Sequence, residues 1–151
     1  MKHILFVCTG NTCRSPMAEY LLKAKADKQF EVRSAGLAAL PGQDANEHVI
    51  QLLAARGIEV KHEAQPISDE LMEWADLVLT MTHSQALALK ERFPQHADQI
   101  SPLIAYVDPE EKEIDIDDPF GADRQVYENT LRQIEGWLDR LVDKESSESQ
   151  R

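Results

Sequence analysis

His3-Ile4-Leu5-Phe6-Val7, then Cys8-Thr9-Gly10-Asn11-Thr12-Cys13-Arg14-Ser15, then Pro16-Met17-Ala18-Glu19-Tyr20-Leu21-Leu22-Lys23-Ala24-Lys25-Ala26 is the stretch that decides the fold. A short apolar run rich in strand formers leads into small, turn-forming residues. The segment that follows is helical in composition, and Pro16 falls in its first turn, where a missing N–H costs nothing. The reading is a buried strand, a tight loop and a helix.

The pattern repeats along the chain. Glu31 to Gly36 reads as a second strand, and Asp44 to Arg56 as a helix closed by Gly57. Ser68 to Trp74 looks like a capped helix start, Asp76 to Thr82 like the best buried strand, and Ser84 to Phe93 like the helix after it. Ile100 to Val107 reads as a last strand, held to an edge by Pro102. A loop over Asp108 to Asp118 leads to a helix from about Asp123 to Asp143 with Val126, Leu131, Ile134, Leu138 and Leu141 as its apolar stripe. Strands alternating with helices imply parallel pairing with helices on both faces. The expected fold is α/β, one small doubly wound, flavodoxin-like domain over residues 1–145 with a parallel sheet of about four strands. A polar, frayed tail is expected from Lys144, with residues 146–151 outside the domain.

The totals limit what such a domain does. The 151 residues are 42% hydrophobic and 28% charged, ordinary globular composition. With 27 acidic against 16 basic residues the formal charge is −11, which opposes nucleic acid and anionic membranes as partners. No apolar run approaches the roughly 20 residues of a spanning helix, and the N-terminal run is too short for a leader peptide. A cytoplasmic monomer is expected. Cys8 and Cys13 are then reduced thiols with a chemical purpose rather than a structural staple.

Cys8 lies where the first strand ends, and in parallel sheets ligands bind beyond such carboxyl ends. Gly10 and Asn11 tolerate positive φ, so backbone N–H groups of the loop can converge on an anion, helped by the helix dipole. Arg14 adds a planar fork of donors suited to two phosphoryl oxygens. The same positive surroundings favour a thiolate, and Ser15 can donate its hydroxyl to that sulfur. These residue types in this order point to nucleophilic attack by Cys8 on phosphorus, with Thr9, Gly10, Asn11, Thr12 and Cys13 forming the cradle. The Lys-Ser/Thr of a nucleotide-binding Gly loop is absent, and no second Cys/His pair completes a metal set; no metal or other cofactor is expected. The leaving group needs a proton from elsewhere. The acidic loop offers Asp117 and Asp118, which spacing does not separate; Pro119 stiffens the turn behind Asp118 and Phe120 offers an apolar wall.

Val7-Cys8-Thr9-Gly10-Asn11-Thr12-Cys13-Arg14-Ser15-Pro16 together with Asp118-Pro119-Phe120 resembles the low-molecular-weight protein tyrosine phosphatases over nearly the whole chain. The resemblance implies Cys8 as nucleophile, Arg14 as phosphate clamp, Ser15 as thiolate partner and Asp118 as general acid. It further implies Asn11 as the residue holding the loop's strained shape, with Ser34 and His62 supporting it, and phosphorylated proteins as substrates. Tyrosine-directed members carry a bulky aliphatic residue at the position of Thr12 and a second aromatic at that of Gly121. Thr12 with Asp-Pro-Phe is similar to the bacterial protein arginine phosphatase branch, and a guanidinium with N–H donors suits a hydroxyl and a carboxylate as neighbours. Phosphotyrosine is the alternative substrate. A thiol-dependent arsenate reductase is a more distant one, because its relay uses further cysteines that this chain lacks. Cys13 is close enough in sequence to pair with an oxidised Cys8, which implies reversible redox protection.

Overall fold

The computed structural model describes residues 1–149. Four strands, β1 (Lys2–Cys8), β2 (Phe30–Gly36), β3 (Leu77–Thr80) and β4 (Ile100–Pro102), form one sheet in the order β2-β1-β3-β4. All neighbours are parallel, with Cys8 opposite Gly36 on one side and Val7 opposite Thr80 on the other. The expected doubly wound α/β domain is the fold observed.

The two-residue period of β1 divides the core. Ile4, Phe6 and Cys8 point into a cluster with Met17, Leu22, Val49, Leu53 and Leu131, while Leu5 and Val7 point into one with Leu71, Met72, Ala86 and Leu89. The first cluster packs α1 (Arg14–Ala26), α2 (Glu47–Ala54), α5 (Leu103–Val107) and α6 (Arg124–Ser149) against one face. The second packs α3 (Asp69–Trp74) and α4 (His83–Arg92) against the other. Burying both faces is what makes β1 read as an unbroken apolar run. Each fully buried Phe, Leu or Ile there contributes about 1.5–3 kcal/mol over its exposed state.

Chain order reverses beside β1, with β2 on one side and β3 on the other. A crevice opens beyond the strand ends at such a point, and the loop after Cys8 occupies it. Close approach fixes Gly36 at the end of β2, since a Cβ there would stand 2.6 Å from the carbonyl oxygen of Thr9 and 3.0 Å from the nitrogen of Asn11. No other residue lets the strand end lie against the loop.

Several expected boundaries move. The helix expected from Asp44 starts at Glu47, because Asn46 caps it by accepting from the His48 N–H at 2.9 Å. The strand expected over Ile100 to Val107 stops at Pro102, and residues 103–107 coil into α5 with Leu103 and Ile104 buried. Proline cannot donate to a ladder and suits the entry to a helix. Val126 is 40% exposed and does not belong to the stripe; Tyr127, 1% exposed, fills that place. The frayed tail expected from Lys144 is helical through Ser149 instead. Glu145 anchors it, buried between Lys2 at 2.7 Å and the hydroxyl of Tyr106. Residues 150–151 of the expected tail lie outside the described residues. Among the described residues no helix is long and apolar enough to cross a membrane.

Candidate active site

The loop from Cys8 to Arg14 joins the end of β1 to the first turn of α1. Asn46, Ser68 and Thr82 cap α2, α3 and α4 with their side chains, whereas Cys13 at the start of α1 makes no side-chain cap and the first turn carries no acid. That leaves the positive end of the helix dipole directed at the loop. Cys8, Thr9, Gly10, Thr12, Cys13 and Arg14 line a cavity of about 350 Å³ whose rim is completed by Leu40, Asp118 and Phe120.

Around the sulfur the geometry is tight. Cys8 Sγ lies 2.9 Å from Ser15 Oγ and 3.3 Å from the backbone N–H of Asn11. Asn11 is the one non-glycine at positive φ among the described residues, at 57°. Gly10, expected to share that conformation, does not adopt it. Asn tolerates the left-handed region better than other side chains because its amide bonds locally. Here the amide is fully engaged: Nδ2 donates to Ser15 Oγ and Ser34 Oγ, each at 2.9 Å, and Oδ1 accepts from the Gln65 N–H at 2.9 Å. The Asn11 carbonyl meets His62 Nε2 at 2.7 Å. Asn11 and Ser15 are fully buried and Ser34 nearly so. Asn11, Ser15, Ser34 and His62 are therefore brought together behind the loop rather than on the cavity wall.

The direction of these bonds follows from one residue that the sequence reading missed. Ser34 donates to Glu19 Oε1 at 2.6 Å, and Glu19 is 8% exposed on α1. With its proton committed there, Ser34 accepts one amide hydrogen of Asn11, and Ser15 accepts the other. The hydroxyl proton of Ser15 is then left for the sulfur of Cys8. Glu19 looks like a helix-surface residue in sequence, and its partners Ser34 and His62, the latter 3.9 Å away, come from distant segments.

Arg14 is 5% exposed, donates from Nη1 to the Ile116 carbonyl at 2.8 Å, and holds Nη2 3.6 Å from Asp118 Oδ2. The acidic loop thus closes over the guanidinium. Asp118 accepts the Phe120 N–H at 3.0 Å, a local turn that holds the carboxyl at the rim. Of the two acids that spacing did not separate, Asp118 lines the cavity with Cys8, whereas Asp117 lines a separate one with His83 and Lys112. Phe120 is 75% exposed and forms a lip of the cavity rather than the drying wall expected beside the carboxyl. Cys13 and Cys8 are both free and buried. Burial pushes the Cys13 thiol up, although its contact with Tyr127 Oη at 3.4 Å and that with Thr12 pull the other way.

The family model for low molecular weight phosphotyrosine protein phosphatases matches residues 3–151. The chain belongs to that family. A protein-arginine-phosphatase of Geobacillus stearothermophilus is 41% identical over 145 residues, 96% of this phosphatase and 97% of the relative. A solved structure of the YwlE arginine phosphatase from the same organism superposes with a TM-score of 0.93 at 40% identity, covering 98% of this chain and 95% of that one. A probable low molecular weight protein-tyrosine-phosphatase, EpsP of Ralstonia solanacearum, is 35% identical over 93% of this phosphatase and 97% of its own length.

Proposed function

We propose that this phosphatase is a protein arginine phosphatase that hydrolyses the P–N bond of phosphoarginine through a phosphoryl group carried on Cys8. The observation that carries the reading is a single cavity bounded by the Cys8 thiol, the Arg14 guanidinium, the Asp118 carboxyl and the Thr12 hydroxyl-bearing side chain. Arginine phosphatases aligned along nearly the full chain at higher identity than the tyrosine-directed relative support the substrate assignment.

In the first step Cys8 Sγ attacks phosphorus, a P–S bond forms, and the P–N bond breaks as Asp118 gives its proton to the leaving guanidine nitrogen. Arg14 and the backbone N–H groups of residues 9–14 hold the three equatorial oxygens, where charge must be stabilised. Ser15, with its proton directed at the sulfur, helps the thiolate to form and later to leave. In the second step Asp118, now a carboxylate, takes a proton from water as the water attacks phosphorus. The P–S bond breaks and inorganic phosphate is released.

Thr12 is the residue proposed to set the substrate. A hydroxyl and a carboxylate satisfy the N–H donors that remain on a phosphorylated guanidinium, whereas an aliphatic wall favours a phenol ring and leaves those donors unpaired. Phosphate release from matched phosphoarginine and phosphotyrosine peptides tests this. The wild type is expected to favour phosphoarginine, and Thr12→Ile is expected to shift the ratio of kcat/KM values toward phosphotyrosine by about 100-fold. An unchanged ratio in Thr12→Ile would remove Thr12 as the specificity residue, and a wild type that prefers phosphotyrosine would return the site to the tyrosine-directed reading.

Cys13 is proposed as the resolving thiol. Peroxide oxidises the Cys8 thiolate to a sulfenic acid, the Cys13 sulfur attacks it, water leaves, and a Cys8–Cys13 disulfide forms that two electrons from a dithiol reduce. Wild-type activity is expected to return with dithiothreitol after mild peroxide, and Cys13→Ser is expected to lose most of that recovery. Equal recovery in the two proteins would contradict the role.

A further inference from the structure

We propose that Gln85, in the first turn of α4, is a positioning residue that ties the loop around Cys8 to the root of the loop carrying Asp118, acting through the hydroxyl of Thr9. The inference rests on the phosphatase reading above and adds a residue outside the cavity to it.

Gln85 is 5% exposed, and its amide orientation is fixed by its neighbours. Oε1 accepts the backbone N–H groups of Met81 and Thr82, each at 3.0 Å, so the amide nitrogen must face the other way. Nε2 then donates to Thr9 Oγ1 at 3.2 Å, across 76 positions of sequence. Thr9 lines the cavity, and its carbonyl is held separately by the Ala38 N–H at 2.9 Å. Gln85 therefore grips the side chain of a cavity residue whose backbone is already fixed on the opposite side.

Met81 and Thr82, which Gln85 holds, and His83 beside them also carry the acid loop. The Ile116 N–H donates to the Met81 carbonyl at 2.9 Å, and the His83 N–H donates to Asp115 Oδ1 at 2.8 Å. Ile116 in turn offers its carbonyl to Arg14 at 2.8 Å. The contacts close a ring that runs from Thr9 through Gln85, Met81 and Ile116 to Arg14 and back along the loop. Cys8 attacks and Asp118 protonates from two separate segments of chain, and this ring sets the distance between them. Part of the role of Gln85 is simply to complete the capping box with Thr82, but a box needs only the acceptor, which Glu supplies equally well. The donor toward Thr9 is the part that capping leaves unexplained.

Substitutions separate the two roles. Gln85→Glu keeps the acceptor for Met81 and Thr82 and removes the amide donor. Because it puts a carboxylate at a 5% exposed site, thermal stability is expected to fall modestly, and Gln85→Met, which brings no charge, is measured beside it. kcat/KM is expected to fall about tenfold, as misplacement of a catalytic loop costs. The affinity for inorganic phosphate, read without turnover as protection of Cys8 from iodoacetamide, is expected to fall by a similar factor. Thr9→Val leaves the cap untouched and is expected to reproduce both losses. In a cycle with Gln85→Met, the double variant is expected to be no worse than the poorer single variant, because both changes cut one link. Losses that multiply, or Gln85→Glu and Thr9→Val proteins with wild-type phosphate protection and kcat/KM, would overturn the proposal. Wild-type protein that binds phosphate at Cys8 yet releases none from phosphoarginine would overturn the substrate reading instead, and the protection assay would still test Gln85.

Discussion

Cys8→Ser is expected to lower kcat for phosphoarginine peptides by about 10⁶, to the level of a blank. The sulfur is held by Ser15 Oγ at 2.9 Å and the Asn11 N–H at 3.3 Å, two contacts aimed at the attacking atom. A serine hydroxyl in the same place is not ionised at neutral pH, and among the described residues no histidine lines the cavity to take its proton. His62, the histidine nearest the loop residues, faces the Asn11 carbonyl behind the loop. Any phosphoserine formed would persist, because an alkoxide is a far poorer leaving group than a thiolate. Cys8 is buried and the substitution is nearly isosteric, so stability and phosphate binding by calorimetry are expected to change little. Activity within tenfold of wild type would remove Cys8 from the mechanism.

Asp118→Asn is expected to lower kcat on phosphoarginine by about 10²–10⁴, the range for a lost general acid. The substitution is selective: the side-chain oxygen that accepts the Phe120 N–H remains, so the turn at the rim is kept. The carboxyl is 55% exposed and 3.6 Å from Arg14, so removing its charge costs little stability. What is lost is the proton for the leaving nitrogen. A substrate whose leaving group needs no proton, such as p-nitrophenyl phosphate, is therefore expected to lose much less. Equal losses on both substrates would place the role of Asp118 in hydrolysis of the phosphocysteine that both share, and not at the leaving group. Asp117→Asn, which faces the separate cavity, is expected to leave both rates near wild type.

The parts of this molecule that were legible in sequence are those whose partners lie close along the chain. Strand, loop and helix over residues 3–26 carry the proposed nucleophile, cradle and clamp within a few residues of one another, so composition and turn chemistry place these residues together. Parallel pairing followed from alternation, since a parallel neighbour requires a crossover. The failures share the opposite feature. Residues 100–107 form one apolar run whether strand or helix, and packing of Leu103 and Ile104 against β3 and α6, together with the missing donor of Pro102, divides it there. The C-terminal residues read as solvated because Glu145 is ordered by Lys2, from the other end of the chain. Glu19 and Gln85 sit on helices at positions where a charged or amide side chain normally meets solvent. Their roles come from Ser34, His62 and Thr9, which the fold brings to them. Asp117 and Asp118 differ only in which cavity each faces, a distinction that adjacency in sequence conceals.

Rapid acid quench of wild-type enzyme turning over a phosphoarginine peptide, followed by mass spectrometry of its proteolytic fragments, joins nucleophile and substrate in one observation. The expected result is a single transient phosphoryl group on the fragment containing Cys8, localised by fragmentation to Cys8 and not Cys13, and absent from protein alkylated at Cys8 beforehand. Phosphate released with no label on that fragment at any quench time, or a label that settles on another residue, would contradict a cysteinyl-phosphate route for phosphoarginine.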